Sequence, residues 1–113
     1  AYSPYSKAKV GAAVETQDGS TFDGCNIENA SFGGTVCAER VAIWKAVSAG
    51  HRNIKKVYVY TKDGWPPCGM CLQVMAEFAG KDFEIIIGNE SDEEVTKTLG
   101  DLLTQAFTPK HME

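Results

Sequence analysis

Three cysteines and one glutamate can do chemistry together in this chain: Cys37-Ala38-Glu39, and the pair in Pro67-Cys68-Gly69-Met70-Cys71. Thiolates three residues apart can face one metal ion from the first turn of a helix, and Cys37 can add a third sulfur. Three protein ligands on a tetrahedral zinc leave one corner open to water, the pattern of a catalytic rather than a structural site. Glu39, two residues beyond the first ligand, can carry that water's proton. Cys37 and Cys68 are both expected in the first turn of a helix, where backbone N–H groups and the positive helix end favour thiolate. Three thiolates on Zn2+ leave a net −1 core. Arg40, next to Glu39, is the cation expected to offset it by donating hydrogen bonds to ligand sulfurs.

Plainer readings of the same residues remain open at this point. A CxxC can belong to a closed four-ligand zinc site or to a redox pair. A closed site needs a fourth ligand, and Cys25 is the one cysteine left over. His51, just past a helix end, and His111, in a polar tail, read as solvent-facing. A thioredoxin-like pair leaves Cys37 and Glu39 without a role. A helix glutamate is usually solvated or ion-paired, but Glu39 has apolar neighbours and Arg40 as its close cation. Burial beside a metal would raise its pKa, while Arg40 and zinc would lower it.

The elements that must hold these groups follow from periodicity and turn chemistry. Val10, Ala12 and Val14 alternate with Lys9, Gly11 and Ala13, as in a strand with one buried face. Asp18-Gly19 predicts a hairpin turn into a return strand, Thr21 to Ile27. A loop is expected from Asn29 to Gly34. Thr35 is the expected N-cap of a helix from Val36 to Ala49, ending at Gly50. Ile54 to Thr61 predicts a buried strand, and Lys62 to Pro67 a loop. Cys68 to Ala79 predicts a second helix closed by Gly80, followed by a core strand from Phe83 to Ile87. Glu93 to Thr98 and Leu99 to Gln105 suggest a last short strand and helix. Strands alternating with helices predict an α/β fold with a central mixed sheet of about five strands, opened by an antiparallel hairpin. Both central helices are apolar on nearly every face, which predicts contacts between subunits.

Composition narrows the partners. At 113 residues, with 43% hydrophobic and 23% charged, the chain reads as one domain, 1–113, with a modest core. A net charge of −4 counts against a surface built to neutralise phosphates. No apolar run approaches the ~20 residues of a membrane span. No signal peptide, repeat or low-complexity stretch is visible. CxxC chemistry in such a chain predicts a reducing, cytoplasmic setting.

Five segments then resemble one family in register: Ala1-Tyr2-Ser3-Pro4-Tyr5-Ser6-Lys7, Val10-Gly11-Ala12-Ala13, Gly24-Cys25-Asn26-Ile27-Glu28-Asn29-Ala30, Cys37-Ala38-Glu39-Arg40 and Pro67-Cys68-Gly69-Met70-Cys71. They are similar to the small homotetrameric zinc-dependent cytidine deaminases, from Ala1 to about Phe107. The Cys-x-Glu and Pro-Cys-x-x-Cys elements are also the general signature of zinc deaminases.

The resemblance implies a three-layer α/β/α fold and hydrolytic deamination of free cytidine or 2'-deoxycytidine. It implies zinc on Cys37, Cys68 and Cys71, and Glu39 as general acid/base. Asn26 and Glu28 match the pair that binds the ribose, and the Ala38 N–H would meet the pyrimidine O2. The Pro66 carbonyl would hold departing ammonia, and Phe107 would cover the base in a neighbouring subunit of a tetramer. Family members usually have a helix before the Tyr-x-Pro-Tyr-Ser segment, so a preceding helix is expected. Three positions depart from the pattern. Ala8 replaces a usual Phe, which predicts a pocket open to ring- or N4-substituted cytidines. Leu72 replaces a usual Arg, and Pro66 a Ser or Thr. Two rivals are deamination of cytosine within single-stranded nucleic acid and a non-catalytic zinc module closed by Cys25. The acidic balance, with no basic-aromatic stripe, counts against the first.

Overall fold

Alternating burial along Gly11–Thr16 makes it the first strand, β1, with Ala12, Val14 and Thr16 turned inward. In the computed structural model, which describes residues 1–112, the hairpin turns at Asp18-Gly19 into β2, Thr21–Cys25. Gly19 takes φ +87°, a left-handed backbone that glycine adopts without strain. Next come α1 (Ala38–Ser48), β3 (Ile54–Tyr60), α2 (Gly69–Phe78), β4 (Glu84–Gly88), β5 (Glu94–Thr98) and α3 (Leu99–Leu102). The strand order is β2-β1-β3-β4-β5. Among the strand pairs of the described residues only β3–β4 is parallel, and α2 supplies the crossover such a pair needs. The mixed five-stranded sheet opened by a hairpin is as expected.

Both helices begin later than the sequence suggests, and the reason is local. Val36 and Ile27 exchange backbone hydrogen bonds at 3.0 Å each way, so the chain stays extended through Val36. Thr35 does not cap α1; its hydroxyl accepts from the Asn29 N–H at 3.0 Å. Cys37 is the N-cap instead, with φ −76° and ψ 155°. Cys68 holds the same place before α2, with φ −73° and ψ 167°, since Pro66-Pro67 keep the preceding loop out of helix. Two of the three sulfurs therefore sit at caps rather than inside first turns. β2 also ends sooner, at Cys25, and Ile27 forms isolated bridges to Tyr2 and Val36.

The register places Ala12, Val14, Val57, Val59, Ile85 and Ile87 on one sheet face. They form one core with Ala38, Ala42, Ile43 and Ala46 of α1 and with Cys71, Leu72 and Met75 of α2. Of the three layers expected, the described residues build the sheet and this helical layer. The other face carries Ala13, Tyr58, Tyr60 and Ile86, with Tyr58 and Tyr60 exposed. Gly24 sets how closely α1 lies on the hairpin. A Cβ there would stand 2.7 Å from both the Ala38 carbonyl oxygen and the Ala42 nitrogen. That close approach fixes the start of α1, where Cys37 and Glu39 sit.

Candidate metal centre and active site

The three sulfurs converge because the two helix starts face each other. Cys37 Sγ lies 3.7 Å from Cys68 Sγ, and Cys68 Sγ 3.5 Å from Cys71 Sγ. All three ligand atoms lie within 4.8 Å of one another. Zinc–sulfur bonds of about 2.3 Å at tetrahedral angles require sulfurs about 3.8 Å apart. The cluster fits that ion.

No fourth Cys, His, Asp or Glu joins the cluster among the described residues. Cys25 stands on β2 opposite Gly11, outside it, so the closed site does not form. His51 packs against Phe22 and faces Asp18, and His111 stacks on Phe107. Neither is a ligand.

Electrostatics favours thiolate at Cys37. The Cys37 thiol is pulled down to about 5, first by its hydrogen bond with Cys71 and further by Arg40 and Cys68. Cys71, on the other end of that hydrogen bond and also buried, is pushed up. Arg40 Nη2 donates to Cys37 Sγ at 3.4 Å, the geometry expected of a charge-offsetting cation. Its Nη1 donates to Met70 Sδ at 2.9 Å, and the guanidinium lies over Trp44.

Glu39 occupies the first turn of α1 and is only 3% exposed. Its Oε1 is buried with no hydrogen-bond partner among the described residues. Burial raises its pKa, and the Cys37 charge adds to this against the pull of its own N–H and of Arg40. A buried carboxyl oxygen is thus left open beside the sulfurs. Ala38, the first residue of α1, has one of the helix-start N–H groups that lack an intrahelical partner.

A cavity of about 260 Å³ joins these groups to the others expected. Cys37, Glu39, Cys68, Pro66, Asn26 and Glu28 all border it. Asn26 is buried, and its amide already has backbone partners. Oδ1 accepts from the Val10 N–H at 2.9 Å, and Nδ2 donates to the Ala8 carbonyl at 2.8 Å. Glu28 gathers the Tyr5 and Ser6 N–H groups at 2.9 and 3.1 Å, together with the Ser6 hydroxyl. Those donors, the hydroxyl foremost, hold its carboxyl below the usual range. Phe107 does not border this cavity. It is 60% exposed, and the Gln73 side-chain amide grips its backbone on both sides, at 2.5 and 3.3 Å.

Leu72 is buried in the core, so this position packs where an arginine would need a polar exit. Trp65 and Thr61 border the cavity but were not expected there. The available signal was an aromatic directly ahead of Pro-Pro-Cys.

Residues 1–87 match the family model of the cytidine and deoxycytidylate deaminase zinc-binding region. That span holds all three clustered cysteines and Glu39. The chain belongs to this family. A cytidine deaminase of Halalkalibacterium halodurans is 47% identical, over 99% of this chain and 86% of its own length. A cytidine deaminase structure from Burkholderia pseudomallei superposes with a TM-score of 0.89 at 43% identity, covering 94% of this chain and 87% of that one. One from Bacillus anthracis, 18% identical with a TM-score of 0.73 over 92% and 79% of the two chains, shares the fold. The family is zinc-binding, which agrees with the sulfur spacing.

Proposed function

We infer that this chain is a zinc-dependent enzyme that deaminates free cytidine or 2'-deoxycytidine, consuming water and releasing the uracil nucleoside and ammonia. The observation that carries this is the unpartnered, buried Glu39 Oε1 beside three sulfurs at tetrahedral spacing, in a cavity wall. When held by Cys37, Cys68 and Cys71, zinc supplies the Lewis acidity that makes water a nucleophile near neutral pH.

The chain's own residues do the rest. Glu39 takes the water's proton and delivers it to N3 as oxygen adds to C4. It then moves the proton of the new C4 hydroxyl to the exocyclic amine, and the bond from C4 to that amine breaks as the C4 carbonyl forms. The Pro66 carbonyl accepts a hydrogen bond from the departing ammonia. The Ala38 N–H donates to the pyrimidine O2. Asn26 and Glu28 hold the ribose, because each retains hydrogen-bonding capacity beyond the backbone groups it engages. Arg40 spreads the charge of the sulfurs. Phe107 covers the base of a neighbouring subunit in a homotetramer, a role supported by its exposure and its distance from its own chain's cavity.

The direct test is loss of ultraviolet absorbance when zinc-loaded protein meets cytidine, deoxycytidine and a single-stranded oligonucleotide. Turnover of the free nucleosides is expected. Turnover of the oligonucleotide alone would overturn the reading in favour of a nucleic-acid deaminase.

A further inference from the structure

A second cavity, of about 250 Å³, lies against the first, and Thr61 and Trp65 border both. Its remaining lining includes Ala8, three lysines (Lys7, Lys9 and Lys62) and one acid, Asp63. The shared wall is held in place. The Trp65 N–H donates to the Thr61 hydroxyl at 2.7 Å, and Pro66 restricts the backbone that follows. The segment before β1 that carries Ala8 is held as well, since the Asn26 amide bonds the backbone on either side of Lys9. A methyl group at this pinned position leaves space that a larger side chain would fill.

The proposed function sets O2 at Ala38, N3 at Glu39 and the C4 amine at Pro66, which leaves C5, the neighbour of C4, to the residues beside Pro66 on the cavity wall. Thr61 and Trp65 stand there. In the lining of the second cavity, which shares those two residues, three lysines outnumber one aspartate.

We propose that this side chamber is a substituent subsite, taking a bulky anionic group on C5 of the pyrimidine. Trp65 is its shared wall, and Ala8 keeps it open. The proposal rests on the deaminase reading above and narrows its substrate class.

The test compares kcat/KM for cytidine, 5-carboxycytidine and 5-aminomethylcytidine, the last two similar in size and opposite in charge. The expected result is 5-carboxycytidine within about tenfold of cytidine and at least about tenfold above 5-aminomethylcytidine. Ala8→Phe should lower the ratio of 5-carboxycytidine to cytidine by at least about tenfold. Taking that ratio between parent and variant cancels the intrinsic effect of the carboxylate on ring reactivity. Lys62→Glu should shift preference toward the aminomethyl compound, and it decides the matter if Ala8→Phe does not fold. Cytidine turned over with 5-carboxycytidine refused overturns this inference and leaves the deaminase reading intact. So do ratios that neither variant moves. If no nucleoside reacts, the deaminase reading falls, and this inference with it.

Discussion

Glu39→Gln tests the proposed proton carrier. The cavity is bordered by few groups that could replace it. Cys37 and Cys68 are committed as ligands, and Glu28 is held ionised by the Ser6 hydroxyl and the Tyr5 and Ser6 N–H groups. Among the described residues no other acid or histidine borders it. A positioned general acid or base contributes about 10²–10⁴-fold, and the proposed mechanism gives Glu39 two successive transfers. The loss in kcat should therefore reach at least about 10⁴-fold, or about 5 kcal/mol of barrier. Glutamine keeps the shape and removes a charge that burial disfavours, so neither folding nor metal should suffer. The assay pairs kcat on saturating cytidine with zinc content by atomic absorption and with thermal unfolding. Glu39→Asp supplies a graded control. It withdraws the carboxyl by about one bond length, and misplacement on that scale costs about 10²-fold. A Glu39→Gln protein with full zinc and kcat within about tenfold of the parent would refute the reasoning, because the proton would then travel by another route.

Cys71→Ser should release zinc, whereas Cys25→Ser should retain it, since Cys25 stands on β2 outside the cluster. Bound zinc after dialysis checks both, and metal loss from Cys25→Ser would restore the closed-site reading. Gly24→Ala should cost about 1–3 kcal/mol in urea unfolding and weaken zinc binding. The added methyl meets backbone at 2.7 Å on α1 and displaces the helix start. Unchanged stability in that variant would show that the hairpin and helix can part freely. Asp18 is lowered from 3.8 to about 2, chiefly by the Thr16 hydroxyl and then by Ser20. Its contribution to stability is thus present above pH 3.8 and lost as pH falls through about 2. Asp18→Asn should flatten the acid limb of a melting-temperature profile in that window and leave zinc content unchanged; an unaltered acid limb would contradict the assignment.

The sequence by itself determined the element order, the hairpin at Asp18-Gly19 and the four groups proposed to do chemistry. Period-2 and helical patterns are local, and Cys-x-Glu with Pro-Cys-x-x-Cys states the donor set directly. Only the tertiary structure decided where the helices begin. The Ile27–Val36 bridge is a contact across a loop, and it turns Cys37 into a cap where Thr35 looked the better one. Tertiary packing likewise decided that Cys25 stays out of the cluster, that Glu39 Oε1 is buried without a partner among the described residues, and that Gln73 grips Phe107. Trp65 joined the site for the same reason: which side chains line a cavity depends on how β3 and the loop after it lie beside Asn26 and Glu28, and no spacing along the chain encodes that distance.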